Sequence, residues 1–366
     1  MIELKDKRLD YLFSYKQIES RLNMKNKKSL IKLLFLCIVG FLIIGFFAYP
    51  LPFYIQKPGS ADPLDPIVSV DGGEESEGDM HLVTIRSGKA SPFMYLWATF
   101  ADYYDIIPEK ELLQDITDEE YQQMQLLMME NSQEQSTVVA YEAAGKEITI
   151  NFNGVYVVAV MDDVPAQDHL QTGDIIVAVD GKQIQEANDL TEYVNDSKQA
   201  GDSLKLTIER GGELLEEEIE LVSLPQLDGK PGIGISLVTD RKIEENPKIA
   251  FETGETGGPS AGLMFALEIY DQLTEGDLTN GNQICGTGEI DYAGNVGRIG
   301  GVDKKVVAAD KAGCDVFFVP NENHSETSNY VTAKETADDI GTEMEIVPVP
   351  LSMTVMLLSS PMMTSI

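Results

Sequence analysis

The longest uninterrupted apolar run occupies residues 33–49, close to the N-terminus. With residues 30–32, including a Lys32 whose amine can reach the membrane surface, it has the ~20 residues that a bilayer requires. A cleaved signal peptide is the competing interpretation, but the charged leader is long and residues 46–50 lack a small-x-small cleavage site. The pattern therefore predicts one N-terminal transmembrane helix at residues 30–49, after a basic cytoplasmic segment at residues 1–29.

Alternating and irregular patterns follow this run. Prolines recur through residues 50–66, which favours an extended spacer, and residues 50–65 are predicted to be a linker. Apolar runs at residues 67–70 and 80–85 flank Asp71-Gly72-Gly73, a pattern typical of paired strands. Aromatic residues are dense at 93–104, and this density favours a packed core over an open substrate groove.

A helix is predicted to begin after Thr117, because acidic residues follow this capping residue and an apolar stretch continues the pattern. From residue 146 the pattern changes to short strands with one helix at residues 188–198. The predicted strands are 148–152, 155–160, 175–179, 203–210 and 217–221. The fold class is therefore α+β, with a β-rich module at residues 146–224.

Ser260 lies between small and turn-forming residues, just before a helical pattern in which Leu263, Met264 and Leu267 share one face. Backbone N–H groups at a helix start have no intrahelical partner and carry the positive end of the helix dipole. Such groups at Ser260 and Ala261 can stabilise an oxyanion, so Ser260 is a candidate nucleophile. The alternative is that Ser260 only caps the helix, a common role for serine.

Two adjacent lysines lie on a second predicted helix and face different ways. At 100° per residue, Lys305 aligns with Val302 and Ala309, whereas Lys304 aligns with Lys311 on the polar face. A lysine directed into apolar surroundings loses hydration, which lowers its pKa and favours a neutral amine. Lys305 is therefore a candidate general base for Ser260, and replacing Lys304 is expected to have almost no effect.

Charge is divided at the apolar run. Of the chain's 27 Lys and Arg and 61 Asp and Glu, the first 32 residues hold nine and four, which leaves 18 and 57 for the rest. The basic flank should remain in the cytoplasm, which places the catalytic part outside the cell membrane. The acidic remainder disfavours nucleic acid as a partner.

Cysteine and histidine give little sign of other chemistry. Cys37 lies in the apolar run, and Cys285 and Cys314 are far apart without metal-binding spacing, so neither a disulfide scaffold nor a metal site is expected. The three histidines are scattered, which disfavours a Ser-His-Asp triad. No cofactor is expected. Each Gly-Lys pair lacks the following Ser or Thr of a P-loop, so no ATP site is expected either.

Four blocks of this sequence resemble the Lon-type serine–lysine peptidases. In chain order they are Gly258-Pro259-Ser260-Ala261-Gly262, Gly286-Thr287-Gly288-Glu289-Ile290, Gly294-Asn295-Val296 and Gly300-Gly301-Val302-Asp303-Lys304-Lys305. The resemblance, which is to Gram-positive members, implies Ser260 as nucleophile, Lys305 as general base and an auxiliary role for Thr287. It also implies one peptidase domain built from residues 66–145 and 225–347, a homo-oligomer, and an apolar tail at residues 348–366 that departs from the family.

The β-rich module resembles a PDZ domain, inserted into the peptidase domain. Gly154-Val155-Tyr156-Val157 is similar to the loop and strand at which such domains bind an extended peptide as an added strand. The alternative is a small β-barrel that only packs against its neighbour.

The sequence as a whole predicts an ATP-independent, membrane-anchored serine endopeptidase. It would cleave peptides or flexible protein segments at the outer face of the cell membrane. The alternative is a noncatalytic, membrane-tethered PDZ adaptor that binds peptide termini. Substrate identity and cleavage preference have no sequence signal.

Overall fold

The computed structural model describes residues 29–74, 76–113, 116–161, 163–224, 229–322 and 327–351. Its first element is helix α1 (Ser29–Ala48), whose large apolar side chains are exposed. By length and composition α1 can cross a membrane, a property that N-terminal signal sequences share. The helix predicted at residues 30–49 coincides with α1, and the predicted segment 1–29 lies, apart from Ser29, outside the described residues.

A mixed six-stranded sheet forms the centre of the catalytic part. In spatial order its strands are β18 (Glu345–Pro350), β17 (Val316–Asn321), β14 (Gln283–Gly286), β3 (Asp79–Lys89), β1 (Phe53–Pro63) and β4 (Asp105–Pro108). The first four run parallel to one another, and β1 is antiparallel to both of its neighbours. This sheet joins segments from both ends of the described chain.

Helices cover both faces of this sheet. On one face lie α4 (Asp118–Ala143) and α6 (Gly262–Leu273), and on the other α7 (Val302–Ala312) and α8 (Asn329–Ile340). Because successive side chains of a strand point to opposite faces, Met80 and Leu82 pack with α6 whereas Val83 packs with α7. The buried alternation of β3 thus fixes the register that places α6 and α7 on opposite faces of the sheet.

Helix α4 begins where the sequence predicts. The Thr117 hydroxyl accepts the backbone N–H of Glu120 at 3.2 Å, and the Glu120 carboxylate accepts the backbone N–H of Thr117 at 2.7 Å. This reciprocal capping box satisfies two N–H groups that the first turn would otherwise leave unpaired. Two shorter helices precede it, α2 (Pro92–Ala98) and α3 (Glu109–Leu113).

The β-rich insert has its own core. Its elements are β5 (Glu147–Val160), a 3₁₀ turn (Pro165–Asp168), β6 (Ile175–Val179), β7 (Lys182–Gln183), α5 (Ala187–Ser197), β8 (Ser203–Arg210), β9 (Glu213–Glu220), β10 (Val222–Leu224), β11 (Lys230–Gly232) and β12 (Ile235–Asn246). Its main sheet has the order β12-β5-β6-β8-β9, and β7 pairs with β6. Val155, Ile176, Leu190 and Leu206 lie in a core separate from those of the catalytic part.

The segment predicted to be a linker is structured, which corrects the expectation for residues 50–65. Phe53–Pro63 forms β1, which pairs with β3 along most of its length and with β4 at its start. Pro58 and Pro63 lack an N–H, so their positions weaken the local strand signal. Pairing with β3 and β4 nevertheless stabilises this segment as a strand.

Two runs predicted to pair with each other pair elsewhere. Strand β2 (Val68–Val70) pairs with β13 (Ile249–Phe251), and β3 lies between β1 and β14. At the other end, the predicted tail begins inside β18, since Pro348–Pro350 pair with β17 and the Leu351 carbonyl accepts the Val296 N–H at 3.0 Å. Residues 352–366 of that tail lie outside the described residues.

The aromatic cluster at residues 93–104 does not form a core as a whole. Leu96, Trp97 and Phe100 on and after α2 are exposed, although Tyr95 and Tyr104 pack against a small core around Ile55. The prediction that these aromatic residues are core residues is therefore wrong for the outer face of α2.

Candidate active site

Ser260 lies immediately before α6, on a loop that α4 holds in place. The backbone N–H of Gly258 donates to the Gln125 carbonyl at 2.8 Å, and the Ser132 hydroxyl donates to the Pro259 carbonyl at 3.0 Å. The Ser136 hydroxyl donates to the Gly262 carbonyl at 2.8 Å. The sequence did not reveal these supports, because isolated polar residues on a long helix carry no signal of what they will contact.

The N-cap position of α6 belongs to Ala261. The alternative interpretation, in which Ser260 only caps the helix, is therefore wrong. Within the described part of the chain, the backbone N–H groups of Ser260 and Ala261 have no hydrogen-bond acceptor. A Cβ atom at Gly262 would lie 2.7 Å from Cγ2 of Ile290, in β15 (Glu289–Ile290), so glycine permits the close approach of α6 to this strand.

Lys305 projects from α7 towards this loop. Its Nζ lies 2.6 Å from Oγ of Ser260, and its side chain is almost fully buried. Burial lowers the pKa of Lys305 from 10.5 to about 7, while the carboxylate of Glu289 acts in the opposite direction. The inward orientation predicted for Lys305 is confirmed, and near neutral pH a substantial fraction of this amine is uncharged.

Thr287 lies beside both residues. The Lys305 amine donates to its hydroxyl at 2.9 Å, and that hydroxyl donates to the Ser260 carbonyl at 3.0 Å. The backbone N–H of Gly288 donates to the same carbonyl at 3.0 Å. Thr287 thus links the lysine to the backbone of the serine, and the site brings together all three residues that the sequence singled out.

The predicted position of Lys304 on the polar face of its helix is wrong. Its side chain is 1 % exposed, and its Nζ contacts the carboxylates of Asp105 at 2.5 Å and Asp303 at 3.0 Å. A helical wheel assigns one buried face, but β1 packs against α7 as well. A buried ammonium group requires a partner of opposite charge, and Asp105 on β4 supplies it. Lys304 is therefore a structural ion-pair residue.

A cleft of 820 Å³ opens above Ser260 and Lys305. Gln56 of β1 and Thr84 of β3 form one wall, and Met129 of α4 contributes to the other. Glu289 also lines the cleft, and burial raises the pKa of its carboxyl group. The cleft is large enough to admit a peptide segment.

The predicted peptide-binding strand is not available for an added strand. Val155 and Tyr156 pair with β6 on one side, and Gly154, Val155, Tyr156 and Val157 all pair with β12 on the other. The side chains of Val155 and Val157 are fully buried. The assignment of peptide binding to these four residues is therefore wrong: they form an internal strand.

Strand β12 forms one open edge of this sheet, and β9 forms the other. The Gly234 carbonyl accepts the Met161 N–H at 2.9 Å, so it points towards β5. In a trans peptide unit the N–H points the opposite way, which directs the Ile235 N–H to the open edge. Helix α5 begins beside this strand, since the Ala187 N–H donates to the Thr239 hydroxyl at 3.0 Å.

The cysteines also differ from expectation. Cys285 and Cys314 form a disulfide, which joins β14 to the start of β17. A ring nitrogen of His81 lies near both sulfurs, with the three atoms within 4.8 Å of one another. Because the thiolate is the metal-binding form of cysteine, the disulfide-bonded pair does not supply metal ligands. This bridge could not be predicted from the spacing, since 29 positions separate the two residues.

Comparisons with known proteins identify two domains. Residues 248–356 match the family model of the Lon protease (S16) C-terminal proteolytic domain, and residues 124–221 match that of the PDZ domain. The Lon protease of Aster yellows witches'-broom phytoplasma is 32% identical over 92 residues, which are 25% of this chain and 11% of that protein. The Lon protease of Mycoplasma mobile is 37% identical over 92 residues, 25% of this chain and 10% of that protein. The match thus spans about a tenth of the length of these relatives.

Among solved structures, the PDZ domain of the SdrC-like protein from Listeria monocytogenes is 37% identical, covering 25% of this chain and 93% of that chain, with a TM-score of 0.23. The corresponding domain from Listeria innocua is 36% identical, covering 23% of this chain and 93% of that chain, with a TM-score of 0.22. The chain joins a PDZ domain to a Lon protease (S16) C-terminal proteolytic domain, behind one N-terminal helix long and apolar enough to span a membrane.

Proposed function

We propose that this protein is a serine endopeptidase in which Ser260 is the nucleophile and Lys305 the general base. The observation that carries the proposal is the 2.6 Å separation between Nζ of Lys305 and Oγ of Ser260, with a lysine pKa lowered to about 7. A hydroxyl becomes a competent nucleophile when an adjacent base takes its proton, and an amine can do so only when it is uncharged.

The reaction begins with neutral Lys305. Its lone pair accepts the Ser260 proton while Oγ attacks the carbonyl carbon of a peptide bond lying in the cleft. The protonated lysine then donates this proton to the leaving amine, which yields an acyl-enzyme. Water, deprotonated by Lys305, attacks the ester and releases the second product.

Two further features of the site assist this reaction. The unpaired N–H groups of Ser260 and Ala261, at the positive end of α6, are suited to hold the oxyanion of the tetrahedral intermediate. Thr287 acts as a positioning residue, because its hydroxyl accepts from Lys305 and so fixes the direction of the amine.

The peptidase would be anchored by α1, with the catalytic part outside the cell. The basic residues before α1 and the acidic remainder support this orientation. Since no P-loop sequence is present in these 366 residues, we propose that hydrolysis proceeds without ATP. Substrates would then be flexible segments that need no mechanical unfolding.

Substrate would be recruited at the open edge of β12, in place of the strand that the sequence indicated. An extended peptide can pair with the outward Ile235 N–H and lie between β12 and α5. This edge is remote from the scissile bond, so binding there raises the local concentration of the chain at Ser260.

The test is cleavage of an unstructured, carboxymethylated protein by the full chain in detergent or vesicles, without nucleotide. We expect cleavage by the unaltered enzyme and none by Ser260→Ala, while both proteins bind a terminal peptide equally. Peptide binding without cleavage by the unaltered enzyme would overturn the proposal and favour the adaptor. Cleavage that requires ATP would overturn the ATP-independent part alone.

A further inference from the structure

The outer face of α2 exposes large apolar side chains. Leu96 is 53 %, Trp97 55 % and Phe100 82 % exposed. Single exposed apolar residues are common, but three within five positions form a patch that needs an occupant. Neither the cleft nor the β12 edge uses these residues.

This patch is continuous with α1. The ring of Phe93, on α2, lies 4.9 Å from that of Phe47 and 6.1 Å from that of Phe46, measured between centroids. The Trp97 ring stacks 6.3 Å from Phe93 on the other side. Phe46 and Phe47 are in the last turn of α1, where a spanning helix reaches the membrane–water boundary.

The connection between α1 and the domain is too short for the patch to lie far from the bilayer. The Tyr49 N–H still donates to the Gly45 carbonyl at 3.0 Å, and the Leu51 N–H donates to the Ala90 carbonyl at 2.8 Å. Ala90 in turn donates to the Phe53 carbonyl at 2.8 Å, and α2 begins two residues later. One unbonded residue, Pro50, therefore separates α1 from the backbone contacts that position α2.

We propose that the outer face of α2 lies in the headgroup region of the bilayer that α1 crosses, with lipid as its occupant. Tryptophan prefers this region, and helices that lie in it bury tryptophan, phenylalanine and leucine side chains at the headgroup–acyl boundary. Lys57 and Arg86 line a pocket against Met94 of α2, and in this strongly acidic part of the chain such basic side chains suit lipid phosphates. The proposal rests on α1 spanning the membrane.

The position of α2 has a consequence for substrate class that also rests on the proposed peptidase activity. Arg86 and Ser87 line both the pocket beside α2 and the cleft that contains Ser260. With α2 in the headgroup region, the cleft opens close to the membrane surface. The substrates it favours are then peptide segments that emerge from the same bilayer.

Trp97 permits a direct test, because it is the chain's only tryptophan. The full chain is reconstituted into phosphatidylcholine–phosphatidylglycerol vesicles with brominated or unbrominated acyl chains. We expect bromination to lower the tryptophan fluorescence by roughly twofold or more, since the ring lies at the acyl boundary. The matched control is Trp97→Phe combined with Leu214→Trp. The Leu214 side chain is also exposed to solvent, but it lies on β9 in the PDZ domain. The fluorescence of this control should not change.

Equal fluorescence in the two vesicle types would overturn the proposal, as would failure of the chain to insert. Protection of Trp97 from aqueous acrylamide without quenching by brominated lipid would assign the patch to a second copy of the chain. That result also contradicts the proposal.

A second measurement connects the patch to catalysis. Combined Leu96→Ser, Trp97→Ser and Phe100→Ser should lower cleavage of a vesicle-anchored peptide about tenfold and leave kcat/KM for a soluble peptide unchanged. Equal losses on both substrates would assign the patch to the peptidase fold. If the unaltered chain cleaves neither substrate but shows lipid quenching, the proposed function fails while the lipid contact stands.

Discussion

Nζ of Lys305 lies 2.6 Å from Oγ of Ser260, although the two residues are 45 positions apart and are held by α7 and by the loop before α6, on opposite faces of one sheet. The contact forms because Ser260 lies before α6 and the long lysine side chain reaches it from α7. We expect Ser260→Ala and Lys305→Ala each to reduce kcat/KM by a factor of about a thousand or more, since residues acting as a unit fail together.

Lys304 is the matched control for this pair. Because its buried amine pairs with the exposed carboxylate of Asp105, Lys304→Ala should lower the Tm. It should leave kcat/KM per folded molecule within about threefold of the unaltered enzyme. Thermal unfolding and active-site titration separate the two effects. A normal Tm combined with a thousandfold loss of kcat/KM in Lys304→Ala would contradict the assignment of the base to Lys305.

Activity should rise with pH through about 7, because the base must be neutral and the pKa of Lys305 is lowered to that value. The check is kcat/KM measured from pH 5 to 9 on a substrate without titratable groups. An activity that falls across this range would show that the protonated amine is the active form, contrary to the proposed mechanism.

The same pKa makes a stability prediction. The unfolded chain keeps the Lys305 proton up to about pH 10.5, whereas the folded chain releases it near 7. Between these values the unfolded state binds more protons than the folded state. The free energy of unfolding therefore increases, and the folded state becomes more stable, as pH rises. Lys305→Met should remove this dependence and stabilise the protein at pH 6 by on the order of a few kcal/mol. Unfolding curves of both proteins at pH 6 and 9 test it; a variant that is less stable at pH 6 would refute it.

Thr287 should affect the direction of the lysine rather than the fold. Thr287→Val keeps the shape but removes the hydroxyl that accepts from Lys305, so kcat/KM should fall by about ten- to a hundredfold. Thr287→Ser retains the hydroxyl and should restore most of the activity. The pH profile distinguishes positioning from stability, because loss of this hydrogen bond to the amine should shift its ascending limb. An unshifted profile in Thr287→Val would argue for a merely structural role.

The open edge of β12 can be tested with a single proline. Ile235→Pro removes an N–H that points away from β5, so the sheet should stay paired while peptide docking is lost. Cleavage of long substrates should drop about tenfold and that of short peptides should remain. Ile235→Val is the control for lost side-chain volume. An unchanged rate on long substrates would place recruitment elsewhere.

The disulfide between Cys285 and Cys314 encloses both Thr287 and Lys305. Replacing both cysteines with alanine should cost about 3–4 kcal/mol, given the 29-residue separation, and lower the Tm by roughly 10 °C. If the double variant has the same Tm as the unaltered protein, the bridge is absent in solution. The same conclusion would follow if the unaltered protein had the same Tm with and without a reductant.

Lys305, proposed as the catalytic base, could be predicted because two independent signals agree: the motif blocks and the apolar face of α7. The start of α4 could also be predicted, from the capping residue Thr117. What the sequence missed depends on distant pairing. The partner of Lys304 lies on β4, the partner of β5 is β12, and the bridge to Cys285 comes from the far end of α7. None of these long-range contacts produces a recognisable pattern of apolar and polar positions in the local sequence.

Pairing between β3 and β14 has a consequence for synthesis. Met80 faces Ile284, 204 positions further along the chain, and the whole PDZ domain lies between them. At ~5–20 residues per second the ribosome needs roughly 10–40 s to make that stretch. During this interval the edge of β3 has no parallel partner, whereas the PDZ domain already has its own core and can fold first. Ser260 and Lys305 are made near the end of this order, so a nascent chain carries its PDZ domain before it has the proposed catalytic base.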